Sequence, residues 1–303
     1  MRNAIRIALF GLLCLIWGST WLAIKVGYGG LGPFTVAALR FLIAAAVLSV
    51  IVPAVGARWP RGRSEWTLVL LVGVLLFGGD YGLIYWAEQY IDSGLTAILF
   101  GTFPLATMLA AHFYVPGEQL TPRKAAGAAL AFAGVVTLFG DRLNVNASAL
   151  WPMAAVIGAV ACAAISNVAT KRHGGALHSA ALNATTTLIG AIVLGGLAVL
   201  SGEPLRLPPD APAWAAVTYL ALVGSVLAFL IYFSLLKTWA STTVSFFAVF
   251  TPIIAIVLGT LFLGERLSGW SLAGSALILT GVSITLLSPA RAAPDVRPAT
   301  AGR

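Results

Sequence analysis

Apolar residues in this chain do not alternate with polar ones; they run together for about twenty positions at a time. Ten such runs stand out: Ile7–Tyr28, Thr35–Val52, Trp66–Ala87, Ser93–Tyr114, Lys124–Gly140, Leu150–Thr170, Ser179–Leu200, Ala213–Leu236, Thr242–Leu263 and Trp270–Leu287. A helix needs about 20 mostly apolar residues to cross a bilayer. In hydrocarbon each backbone amide must bond within its own segment, so helices are the expected spanning form. The runs are too long and continuous for the strands of a membrane barrel. Turn chemistry separates them: Gly29-Gly30-Leu31-Gly32-Pro33, Thr121-Pro122, and Pro208-Pro209 with Pro212. Thr121-Pro122 has the order of a cap followed by the first helical position. The pattern predicts an all-α membrane protein of ten transmembrane helices, with a disordered cytoplasmic tail over 289–303.

Composition agrees. Of 303 residues, 59% are hydrophobic and 9% charged, against about 25% charged in soluble domains. A formal charge of +8 would suggest nucleic acid in a soluble protein. Here the basic residues fall in short loops, where they set membrane orientation, and no nucleic-acid partner is expected. With the N-terminus in the cytoplasm, thirteen basic residues lie inside, among them Arg58, Arg61, Arg63, Arg123, Lys124, Lys171, Arg172 and Lys237. Three, Arg142, Arg206 and Arg266, lie outside, and Lys25 and Arg40 fall within spans. Both termini are then cytoplasmic. The first run follows Arg2 and Arg6 but is too long for a signal peptide and has no Ala-x-Ala site, so it reads as a retained helix. Cys14 and Cys162 sit inside apolar runs and read as buried hydrophobes, not a disulfide. The three histidines have no metal-ligand spacing. No cofactor and no metal site are expected.

The chain also repeats itself. Pro104, then Gly117-Glu118-x-Leu120, Gly127 and Gly134, is matched by Pro252, then Gly264-Glu265-x-Leu267, Gly274 and Gly281. The offset is 147 from Gly117 onward, and 148 for Pro104, Trp66 and Cys14 against Pro252, Trp214 and Cys162. The reading is a first repeat over 1–145 and a second over 146–288. Five helices per repeat is an odd number, so the second repeat enters the membrane from the opposite side. Inverted repeats of this kind place substrate near the midplane, between the halves, and alternate between two related states.

The order Trp17-Gly18-Ser19-Thr20, Lys25, Pro33 and Arg40, with the duplicated Pro…Gly-Glu-x-Leu…Gly…Gly series, resembles the drug/metabolite transporter superfamily, in its ten-helix branch with two EamA-type repeats. The resemblance covers the chain up to the tail. It implies ten helices, cytoplasmic termini, a central cavity, and export of metabolites or drugs. Helix 6 lacks the Trp-Gly motif, and Thr186 or its neighbours stand where the first half has arginine.

Charges at a bilayer centre cost roughly 2.5–3.5 kcal/mol each on insertion scales, so each one here is informative. At 1.5 Å per residue, Arg40 lies about 9 Å and Asp80 about 10 Å below the outer end, with Lys25 about 5 Å deep. Two readings stay open. Arg40 or Lys25 takes a substrate carboxylate and Asp80 an ammonium, or Arg40 and Asp80 pair and fix helix 2 against helix 3. Lys25 also reads as an interface anchor, and Asp80 as a site for a coupling proton. Trp17 and Trp21 share one helix face, and Tyr81 and Tyr85 follow Asp80. With Thr20, Asn167 and Tyr232 these complete the candidate substrate site. Asn167 and Thr170 read equally as interhelical hydrogen bonders. Trp66, Trp86, Trp214 and Trp270 fit the aromatic belt at span ends. His112 reads as interfacial, and Gly78-Gly79 as a close helix approach or a bend. Glu118 and Glu265 precede helices 5 and 10, where a helix dipole favours a carboxylate. The paired glycines of helices 5 and 10 predict close packing of those helices, with a homodimer face as the alternative.

No phosphate-binding loop is present, so the expected protein is a secondary carrier of the bacterial inner membrane, not an ATP-driven pump. Its expected cargo is a small polar metabolite, an amino acid or related compound, exported by alternating access with protons as a candidate partner. Drug or purine efflux by the same fold is the nearest alternative. A non-transporting sensor and a membrane-embedded enzyme stand further off.

Overall fold

The described part of every apolar run lies within a helix in the computed structural model, which describes residues 2–115, 121–145, 147–265 and 268–286. Gly117, Glu118, Leu120, Arg266, Leu267 and the 289–303 tail lie outside the described residues. In chain order the helices are α1 (Arg2–Tyr28), α2 (Pro33–Ala54), α3 (Arg63–Ala87), α4 (Ser93–Tyr114), α5 (Pro122–Val145), α6 (Leu150–Ala176), α7 (Ser179–Leu200), α8 (Ala211–Thr238), α9 (Ser241–Leu263) and α10 (Gly269–Leu286). Among the described residues, eight helices are long and apolar enough to cross a membrane; α5 and α10 are not among the eight. No strand occurs among the described residues.

Local chemistry sets the boundaries. Gly29 and Gly30, at φ 47° and 83°, reverse the chain after α1. Extended Gly32 then precedes Pro33 at the first helical position of α2, where the ring's fixed φ suits a helix and its missing N–H matters least. Asp210 caps α8 by accepting from Ala213 N–H at 2.9 Å. Gly264, at φ 66°, closes α9 in the left-handed region. α3 and α8 are not α-helical throughout. Each widens into a π-helical stretch, Gly73–Asp80 and Leu222–Leu227, at matched places in the two repeats.

Packing is the same when the halves are exchanged. α1 lies against α8 and α9, as α6 lies against α3 and α4; α2 packs on α7 and α8, as α7 packs on α2 and α3. α5 and α10 pack on each other. A Cβ on Gly134 would sit 2.6 Å from Gly274 O, so these two backbones touch. The glycine faces of α5 and α10 therefore meet inside one chain and are not free for a second copy. At Gly78 a Cβ would lie 2.8 Å from Val193 Cγ1, which makes Gly78 a site of close approach to α7.

Two ends of the bundle differ in charge. At one, Glu265 accepts from Ser93 N–H (3.0 Å), Ser93 Oγ (2.8 Å) and Gly94 N–H (3.2 Å), and so caps the start of α4. It serves α4, not the α10 it precedes in sequence. Glu203 does the same for α2, accepting from Thr35 N–H at 2.8 Å, Thr35 Oγ1 at 2.9 Å and Phe34 N–H at 3.2 Å. Lys25 donates to Ile91 O at 2.9 Å and stands 3.7 Å from Glu265. At the other end, Lys171 donates to Trp239 O (2.7 Å) and Leu236 O, and Arg172 donates to Tyr114 O at 2.9 Å. Arg58, paired with Glu65, lies at the same end. Lys25 and Lys171 thus close the third helix of each half at opposite ends of the bundle.

Candidate functional site

A narrow cavity of about 50 Å³ lies among α1, α3, α4, α6, α8 and α9. Its walls are mainly aromatic: Trp17, Trp21, Tyr81, Phe100, Phe103, Phe229, Tyr232 and Phe247. Trp17 is held edge-on against Phe247 at 4.3 Å between ring centres and against Phe229 at 5.2 Å. Its indole N–H donates to Gly224 O at 3.3 Å. That carbonyl lies in the π-helical stretch of α8, where the wider turn offers backbone oxygens to outside donors. π-Bulges of this kind are frequent at functional sites.

Polar groups on the wall are few. Thr20 donates to Trp17 O at 2.8 Å, within its own helix. Of the buried polar atoms without a hydrogen-bond partner among the described residues, three belong to residues of the wall: Asp80 Oδ1, Trp21 Nε1 and Thr251 Oγ1. Asp80, 2% exposed, is the one lining residue with a formal charge. Leaving such groups unpaired in a dry interior costs on the order of 1–3 kcal/mol each. The cavity therefore presents an acceptor, a donor and a hydroxyl to whatever enters it, inside walls suited to a small organic molecule.

The ten residues singled out from sequence divide here. Trp17, Thr20, Trp21, Asp80, Tyr81 and Tyr232 line the cavity; Lys25, Arg40, Tyr85 and Asn167 do not. Arg40 is fully buried behind the wall. Its guanidinium donates to Ser225 Oγ (2.8 Å), Gly224 O (3.2 Å) and Tyr85 OH (3.3 Å). It also lies over the Tyr81 ring at 4.7 Å and the Phe41 ring at 5.1 Å. Among the described residues no ion pair joins it to Asp80. Arg40 instead ties α2 to α3 and α8 through neutral acceptors. Lys25 belongs to the acidic end, as described above. Asn167 is placed between helices, donating toward Thr107 Oγ1 (3.4 Å) and Ser241 O (3.3 Å).

Sequence reasoning did not find Thr251, Phe100, Phe103, Phe229 or Phe247. An apolar side chain within an apolar run has no contrast to mark it, and Thr251 differs from its neighbours by one hydroxyl. Glu88 was also passed over; it is buried at the end of α3 and neither of its carboxylate oxygens has a hydrogen-bond partner among the described residues.

Known proteins bear on what this arrangement serves. The uncharacterized inner membrane transporter YedA of Escherichia coli is 29% identical, covering 98% of this chain and 97% of its own. A protein of Salmonella typhimurium named a probable amino-acid metabolite efflux pump is 27% identical over 91% of this chain and 92% of its own length. A solved crystal structure at 22% identity aligns over 93% of this chain and 97% of its own, with a TM-score of 0.69, which speaks for the fold alone. Residues 5–140 and 150–287 each match the EamA-like transporter family. With both repeats matched, and relatives of the same length named as transporters, the chain is a membrane transporter of the EamA-like family.

Proposed function

We propose that this transporter is a secondary carrier of the bacterial inner membrane that exports a small amine-bearing metabolite, an amino acid or related compound, by alternating access. In this reading α5 and α10 also cross the membrane, giving ten spans, and repeats 1–145 and 146–288 are inverted. The opposed ends reached by α1 and α6 support the inversion, because Lys25 and Ser93 meet Glu265 at one end while Arg172 meets Tyr114, the far end of α4, at the other. The basic end, with Arg58, Arg61, Arg63, Lys171, Arg172 and Lys237, is then cytoplasmic by the positive-inside rule, and both termini with it.

The observation that carries the reading is the cavity's unpartnered trio, Asp80 Oδ1, Trp21 Nε1 and Thr251 Oγ1. A substrate ammonium suits Asp80, a neutral oxygen suits the two donors, and the aromatic faces suit an apolar body or the cation itself. The efflux activity named for the Salmonella relative points the same way. Counterflow into proteoliposomes, screened across amino acids, amines, purines and cationic drugs, tests it. Exchange of amine-bearing compounds is expected. Ligand binding without flux would make the protein a sensor, and exchange confined to purines would move the cargo to the efflux alternative.

A further inference from the structure

Glu88 lies eight residues beyond Asp80, about 12 Å further toward the acidic end at helical rise. It is 1% exposed. Neither carboxylate oxygen accepts a hydrogen bond from any described residue. The ionisable groups that face it are Lys25 and Tyr28 of α1, Tyr85 of α3 and Glu265 beyond α9. The donors among them are engaged elsewhere. Lys25 donates to Ile91 O and turns toward Glu265. The Tyr28 hydroxyl donates to Tyr85 O at 2.6 Å.

A buried carboxylate with no donor is the most unfavourable form this side chain can take. Burial pushes its proton affinity well above the usual carboxylate range, with Lys25 opposing and Glu265 adding to the shift. With Glu265 bonded to α4 as it is here, the acidic end therefore contains a carboxyl group that is stable there only with its proton. Opening that end separates Glu265 from α4, releases Lys25 from its present partners and admits water. Each change favours the ionised form.

We propose that Glu88 is a proton-binding site, filled as the acidic end closes and emptied as it opens, so that access to the cavity from that side is proton-linked. This rests on the carrier reading for the existence of an open state. The sign follows from the linkage: the closed state binds one more proton than the open state, so acid favours closure and alkali favours opening. For an exporter facing an acidic exterior, proton uptake from outside would promote the return of the empty carrier.

The test needs no substrate. In a full-length protein lacking Cys14 and Cys162, Thr251→Cys places a thiol on the cavity wall. Its labelling by a membrane-impermeant maleimide is followed from the acidic side in proteoliposomes against pH. Rates are normalised to a cysteine placed at exposed Leu205, which corrects for thiol reactivity. Labelling should rise with pH. Glu88→Gln, which copies the protonated shape, should label slowly at every pH. Lys25→Met, which removes the cation facing Glu88, should move the rise to higher pH. A wild-type rate independent of pH overturns the proposal, as does an unchanged pH dependence in either variant. Loss of the fold in Glu88→Gln leaves Lys25→Met to decide. Flux in the counterflow screen is a separate readout, so a failure of the carrier reading is distinguishable.

Discussion

Glu265→Gln offers the most quantitative test of the hydrogen bonds that join the two halves at the acidic end. In the structure the Glu265 carboxylate accepts three hydrogen bonds of 2.8–3.2 Å from Ser93 and Gly94 across the boundary between the halves. Glutamine keeps the shape and one acceptor but removes the charge. Hydrogen bonds to charged groups contribute about 1.5–3 kcal/mol and neutral ones about 0.5–1.5 kcal/mol, so the change removes about 1 kcal/mol per bond and about 3 kcal/mol in all. The Lys25 contact, at 3.7 Å and partly exposed, adds little after solvent screening. If these bonds form only in the closed state, the closed-to-open ratio falls roughly a hundredfold at about 1.4 kcal/mol per decade. Labelling of Thr251→Cys from the acidic side should accelerate accordingly at fixed pH. A variant with wild-type thermal stability whose labelling stays within about threefold of the parent would refute the idea that Glu265 latches this end, because the lost energy would then be common to both states.

Three further outcomes are expected. Asp80→Asn should abolish binding of phenylalaninol in equilibrium titrations of indole fluorescence, and the parent protein should bind phenylalaninol at least about tenfold more tightly than phenylalanine. No cation lines the cavity to receive a carboxylate, whose burial without one costs several kcal/mol. Arg40→Ala should lower the unfolding temperature in detergent, not only transport, since it strands the buried Tyr85 hydroxyl and removes the Gly224 carbonyl's guanidinium contact at about 1–3 kcal/mol each; normal stability with lost flux would return Arg40 to the substrate site. Gly134→Ala should destabilise the α5–α10 pair by about 1–3 kcal/mol of overpacking, because two of the atoms its Cβ meets, Gly274 O and Ile278 N, are backbone, and an unchanged melting curve would show that the two helices can move apart freely.

Much of the helix plan was legible because lipid imposes a one-dimensional rule: apolar length. Asp80 was legible for the same reason, as a charge standing out against its run. Its relation to Arg40 was not. Equal depth follows from counting residues, but contact also needs the right direction around each helix, and α3 carries a π-helical stretch that changes that direction just before Asp80. Nothing in Gly73-Val74-Leu75-Leu76-Phe77-Gly78-Gly79 announces a π turn; it arises where α3 passes closely over α7, as Gly78 does over Val193. Ser225 and Gly224, which receive Arg40, sit in the matching stretch of α8 and were hidden likewise. Lys25 and Glu265 were each read from local sequence, as interface and dipole residues, whereas their partners lie in other helices. Glu88, at the edge of an apolar run, drew no reading from sequence; only the fold shows that it is buried.

The exchange of partners between halves has a consequence for how the protein is made. α2 finds α7, and α5 finds α10, about 145 residues later in synthesis. When the ribosome has completed α5, α1, α2 and α5 still lack the helices on which they mainly pack: α8 with α9, α7 and α10. The nascent half must be sheltered until its complement arrives. Two polypeptides cut between α5 and α6 should each be degraded when expressed alone and persist when made together.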